Sequence, residues 1–264
     1  MNRFRHKSIL AVLAALALVP AGLRAQNDVP AGIHMKPGFT FEYLSRTLSW
    51  DNDAYMSTLI MPTGYLSLDF EIVRGFTFGV IGGYTLSNFN GLVFRQLPFS
   101  LDYEAGAING FVLGAQMQKS LVSSGFWEIT ADAQFLAFLG TTKLFTIDQL
   151  NTSGQFDAKG TWMHVQVGPT VIYRGFELFS PFIGAAYDKL WGTFTVNETI
   201  GNLTGSEAKS VSSKGAVAVN IGTIYEPSPN FSLRIAGTFV PYSKGTGQGL
   251  GLDLGGTLRA VFSF

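Results

Sequence analysis

Long segments of this chain alternate between apolar and polar side chains. From 126 to 139, Trp127, Ile129, Ala131, Ala133, Phe135, Ala137 and Leu139 fall on one face, with Glu128, Thr130, Asp132 and Gln134 on the other. Over 161–173, Met163, Val165, Val167, Val171 and Tyr173 oppose His164, Gln166 and Thr170. Over 63–73, Leu66, Leu68, Phe70 and Ile72 oppose Ser67, Asp69 and Glu71. Side chains two apart share a face only in extended chain, so the period predicts strands rather than helices. Glycines on both faces, such as Gly79, Gly82, Gly110 and Gly114, suit tightly curved strands.

A repeated punctuation sets the strand count. A tight turn followed by Phe recurs at Arg74-Gly75-Phe76, Ser123-Ser124-Gly125-Phe126, Arg174-Gly175-Phe176 and Pro227-Ser228-Pro229-Asn230-Phe231, with Lys36-Pro37-Gly38-Phe39 starting the series. Between these turns lie polar or Gly-rich stretches near 50–62, 87–103, 141–159, 191–211 and 242–249, read as long loops. Each period then holds one strand rising to a long loop and one descending to the next short turn. That gives about ten strands, with 8 or 12 as the alternatives.

Composition narrows the setting. Aromatics make up 14% of the 264 residues and charged residues only 14%, below the roughly 25% usual for soluble domains. Yet after residue 25 no apolar run reaches the roughly 18 residues of a membrane helix. The first 25 residues read as a cleaved export signal: Arg3, Arg5 and Lys7, then an uncharged run from Ser8 to Gly22, then a cut after Ala25. Cleavage also removes Arg24 and leaves 14 basic against 18 acidic residues, a net charge of −4. No basic patch invites nucleic acid. With no cysteine there is no disulfide framework and no thiolate metal site.

An exported chain with amphipathic strands, alternating loop lengths and little charge predicts an all-β fold, a closed antiparallel transmembrane β-barrel. Only a closed sheet leaves no unpaired backbone edge in lipid. The expected organisation is a signal peptide at 1–25, a short periplasmic segment at 26–35 and the barrel at 36–264. Both termini are expected in the periplasm. The apolar faces should meet lipid and the polar faces line the interior. Phe76, Phe126, Trp127, Phe176 and Phe231, which begin rising strands, and Tyr173 and Tyr225, which end descending ones, fit an aromatic girdle at the periplasmic interface.

The last strand places Leu252, Leu254, Leu258, Ala260, Phe262 and the terminal Phe264 on one face, against Asp253, Thr257, Arg259 and Ser263. A final amphipathic strand closing on Phe resembles the assembly signal of bacterial outer-membrane proteins, here Leu258, Ala260, Phe262 and Phe264. The resemblance implies recognition by the outer-membrane assembly machinery and escort by periplasmic chaperones. Residues 36–264 as a whole resemble small barrels such as the OmpA membrane domain, the opacity adhesins, OmpX and OmpW. It implies a Gram-negative outer membrane, with its lipid and lipopolysaccharide, as the setting. The chain departs from full-length OmpA in that no wall-binding domain follows the barrel.

The candidate chemistry is interior. Glu42, Arg46, Asp69, Glu71, Glu128, Asp132, His164, Asp188, Arg234 and Arg259 fall on polar faces, and both signs together predict a paired network filling the lumen. The alternative is a narrow diffusion channel in which the carboxylates favour cations. Omptin-type outer-membrane proteases use Asp and His at the outer rim, which draws attention to His164, Asp51 and Asp53, but no Asp-x-His pair is present. A lipid A-modifying hydrolase would need a nucleophile beside His164. Lys244-Gly245-Thr246-Gly247-Gln248-Gly249 precedes no helix and reads as a surface loop. The favoured expectation is a non-enzymatic barrel, without cofactor or metal, that serves a structural role or presents its loops to an extracellular ligand.

Overall fold

The computed structural model describes residues 34–50, 55–97, 101–103, 107–147, 154–244 and 249–263. The expected signal peptide, residues 26–33, Asp51, Asp53 and Phe264 lie outside the described residues.

Fourteen strands are present: β1 (His34–Trp50), β2 (Tyr55–Val73), β3 (Phe76–Asn90), β4 (Leu92–Phe94), β5 (Leu101–Tyr103), β6 (Ile108–Ser124) and β7 (Trp127–Gly140), followed by β8 (Lys143–Ile147), β9 (Gly154–Tyr173), β10 (Phe179–Ile200), β11 (Leu203–Ser213), β12 (Val217–Ser228), β13 (Phe231–Ser243) and β14 (Leu250–Phe262). Ten of them close an antiparallel ring in the order β1-β2-β3-β6-β7-β9-β10-β12-β13-β14, with β14 returning to β1. The count is the one the turn rhythm predicts. The short turns lie where expected; Gly75 and Gly125 take φ of 76° and 58°, open to glycine without steric cost.

Most of the stretches read as long loops are instead strand. β10 runs to Ile200 and β11 begins at Leu203, so 191–211 is a hairpin turning on Gly201 at φ 57°. Likewise β2 begins at Tyr55, and much of 141–159 belongs to β8 and to the upper part of β9. The polar composition that suggested loops belongs to outward faces in water, such as Thr193, Thr195, Asn197 and Thr199, opposite inward Phe194, Val196 and Ile200.

The wall narrows along its length. Next to the short turns β1 pairs with β14, from Gly38↔Val261 to Leu44↔Gly255. Beyond that level β1 pairs instead with β11, at Leu48↔Ser213 and Ser49↔Ser212. The ring there is β1-β2-β3-β6-β7-β9-β10-β11, eight strands. The tip of the β13–β14 hairpin overlaps this junction: Asp253 accepts hydrogen bonds from the Thr47 backbone N–H and hydroxyl, both at 2.8 Å, and Val240 is buried with Ala186 and Ala218.

The narrowing coincides with an inversion of polarity. Near the short turns the exterior is apolar: Phe39, Phe41, Tyr43, Leu66, Val80 and Ile183 point outward and are exposed. At the long-strand end the outward positions turn polar (Asn90, Lys159, Thr193, Asn197), while Leu48, Leu59, Phe89, Phe138, Trp162 and Phe194 fill the interior, each at most 2% exposed. The lower part is thus built like a membrane barrel and the upper part like a water-soluble one. This corrects the expectation that polar faces line the whole lumen. Alternation assigns residues to faces, but which face is apolar depends on the medium at each level.

Candidate functional site

Two compartments occupy the interior. The upper one is filled by side chains, mostly apolar, with Glu198 and the Glu207–Lys209 ion pair buried among them. Phe89 lies 4.7 Å from Trp162 and 5.1 Å from Phe194, ring centre to ring centre, and Phe94, from the β4 segment folded into the barrel mouth, lies 5.7 Å from Phe194. Leu92 and Leu97 of the same insertion are also buried. Polar contacts tie this lid to the wall: Glu207 accepts a hydrogen bond from the Gln96 backbone at 2.7 Å, and Arg95 reaches the Tyr55 hydroxyl at 3.2 Å. Eight strands enclose a space that side chains can fill, and here they fill it.

Below lies a polar cavity of about 780 Å³, walled by the ten-stranded section and reaching the short-turn end at residues such as Lys36, Arg174 and Pro229. Nine of the ten residues of the expected lumen network line this cavity and Glu71 binds Lys36 at its rim, but they form separate groups rather than one net. At the top, Arg46 Nη2 lies 3.1 Å from Asp188 Oδ2, His164 Nε2 lies 3.2 Å from the same oxygen, and Gln166 donates to it at 3.2 Å. Arg46, His164 and Asp188 are almost wholly buried, one pleat below Trp162, and Gln166 is partly buried. Glu42 accepts from the Tyr65 hydroxyl at 3.3 Å, and Tyr65 in turn accepts from Gln134 at 3.1 Å.

Further down, Asp69 pairs with Arg259 and accepts from Gln116 at 2.6 Å. Asp132 accepts from Gln118 at 2.8 Å and Thr170 at 2.6 Å and, among the described residues, touches no cation. Glu71 pairs with Lys36 at 2.7 Å at the rim, and Glu128 shares Arg174 with Glu226, at 3.0 and 2.8 Å. Arg234 lies over the Phe182 ring at 4.2 Å.

Sequence reasoning missed the glutamines, Tyr65, Lys36, Arg174 and Glu226 as members of these groups. Gln116, Gln134 and Gln166 do sit on the polar faces of their strands; attention to charge alone passed over them. Trp162 and Phe138 also fall on the inward faces by alternation, but an aromatic there was not expected in a lumen read as polar.

His164 lies under the aromatic layer, 2% exposed, rather than at an outer rim. Among the described residues no cluster of His, Cys, Asp or Glu is placed to hold a metal.

The expected girdle residues gather at the short-turn end. Tyr173 stands 4.9 Å from Trp127, 6.1 Å from Phe126 and 5.3 Å from Phe176. Tyr225 stacks on Phe179 at 4.9 Å and Phe231 meets Phe262 at 5.2 Å. Phe76 is half-buried, on the same turn level. In the last strand Leu258 and Phe262 point outward, 44% and 45% exposed, and Ala260 shares their face.

No protein-family model matches the sequence, and no curated protein matches it. Solved structures that resemble the fold include the outer-membrane protease OmpT from Escherichia coli, at 10% identity over 90% of this chain and 98% of that one, TM-score 0.45. The transport unit of the autotransporter AIDA-I from Escherichia coli is 14% identical over 98% of this chain and 97% of that one, TM-score 0.40. Ail, the attachment invasion locus protein of Yersinia pestis, is 13% identical over 87% and 98%, TM-score 0.32. A closed antiparallel ring with an apolar belt is the form in which β-structure crosses a bilayer, and the chain has that form.

Proposed function

We propose that this protein is a non-conducting, non-enzymatic barrel that displays a rigid, water-soluble dome on the cell surface as a binding or adhesion platform. The short turns and both termini are assigned to the periplasm and the long-strand end to the exterior. The observation that carries this reading is the side-chain fill of the eight-stranded section. Trp162, Phe89, Phe138 and Phe194 are buried to within 2% in the space a pore would need. Ions do not pass an interior filled by side chains, so the diffusion-channel alternative is disfavoured.

The same arrangement argues against surface hydrolysis at His164, which an extracellular substrate would reach only through the aromatic layer. A structured dome suits recognition: the β10–β11 hairpin is paired to its tip, and Asn197 is fixed by Asp157 at 2.7 Å and Ser206 at 2.6 Å. A surface held in one shape loses little entropy on binding a partner.

The test is paired. Proteoliposomes carrying the protein should not swell in isotonic arabinose. Cells displaying it should bind a surface or soluble partner that cells displaying a variant lacking residues 194–209 do not. Swelling at porin-like rates, or binding unaffected by the hairpin deletion, would overturn the proposal.

A further inference from the structure

We infer that the cavity at the short-turn end holds a binding site for a small oxyanion, phosphate or carboxylate, centred on Arg234 and Arg259. The two residues are direct cross-strand partners on β13 and β14, both facing the cavity. Like charges directly opposite on neighbouring strands repel, and such a pair persists at a cost unless an anion relieves it. Asp69 neutralises Arg259 through Nη2 only; Arg259 Nε is buried with no hydrogen-bond partner.

Arg234 is less satisfied still. Among the described residues it makes no ion pair and no hydrogen bond to a side chain, only the ring contact with Phe182. A ring face holds the guanidinium in place but satisfies none of its five N–H donors.

The other charges on the wall are already engaged. Lys36 is bound to Glu71, Arg46 to Asp188, and Arg174 to Glu128 and Glu226. Asp132 acts on Arg234 across the cavity without touching it, its oxygens taken by Gln118 and Thr170. What remains is one uncommitted guanidinium beside a second with a free N–H, opening on a space large enough for a small molecule. Planar, forked donors of this kind match the paired oxygens of phosphate and carboxylate. Neither the alternation nor the dome reading requires such a site.

The test is isothermal titration of the folded protein, in phosphate-free micelles at low ionic strength, with sodium phosphate and, separately, sodium acetate. We expect saturable binding of at least one probe, weakened about tenfold or more in Arg234→Gln and only a few-fold in Arg234→Lys, which keeps the charge but loses the fork. Phosphate alone binding would point to a phosphoryl ligand, and acetate binding comparably to a carboxylate one. Folding of each variant is read from heat-modifiable gel migration. Should Arg234→Gln fail to fold, the arginine Nε resonances of the wild-type protein decide: at least one must move on titration. No saturable binding of either probe, equal affinity in a folded Arg234→Gln variant, or unmoved Nε resonances would overturn the site.

Discussion

Trp162 shows how one residue reads differently in sequence and in place. It stands beside the outward Met163 in β9, on the face that carries His164 and Gln166, and alternation assigns it correctly to the interior. Nothing in the alternation says that the interior is mostly apolar at its level and polar two residues below. In the structure it is the largest of the fully buried side chains, packed against Phe89 and Phe194. Trp162→Ala should therefore cost about 3–5 kcal/mol of folding stability, measured by urea unfolding in micelles. A loss below about 1 kcal/mol would mean that the upper interior is not close-packed. Asp188 was legible as an inward carboxylate, but its partners Arg46 and His164 come from strands distant in sequence. Asp188→Ala leaves Arg46 buried without its counter-charge and should destabilise by about 3–5 kcal/mol. The double variant Arg46→Met, Asp188→Leu should recover much of that loss, and equal unfolding midpoints for single and double variants would show that the pair is not coupled.

The turns were the most legible elements, because Gly and Pro next to Phe mark them chemically. The strand extensions were not, because polar outward positions look like loop in any reading that assumes lipid outside. The β10–β11 hairpin is the clearest case: Thr195, Asn197 and Thr199 alternate with Phe194, Val196 and Ile200 at an ordinary strand period. An epitope inserted between Gly201 and Asn202 should leave the barrel folded and bind antibody on intact cells, whereas one inserted at Gly125 should bind only after the outer membrane is permeabilised. The reverse pattern would invert the proposed orientation. At the last strand, Phe262 meets Phe231 and points outward. Phe262→Ala combined with deletion of Phe264 should lower the assembled fraction in outer-membrane extracts several-fold. An unchanged fraction would remove Leu258, Ala260, Phe262 and Phe264 from the assembly role that the resemblance gives them.

For the whole molecule, the sequence carried the ring and its strand number but not the change from ten strands to eight. The change depends on where β14 stops pairing with β1 and β11 takes its place, a long-range contact between residues such as Leu48 and Ser213. Strand number sets barrel width, and width sets whether side chains can close the lumen. The ten-stranded section keeps a cavity of about 780 Å³, and the eight-stranded section is filled. On the proposed reading, closure of the barrel is a property of topology, and the central claim is that this molecule is a sealed barrel. Single-channel recording of the purified, folded protein in a planar bilayer tests it most directly. The account predicts insertion without current steps at moderate voltage of either sign; steady, reproducible conductance steps from the unmodified protein would contradict it.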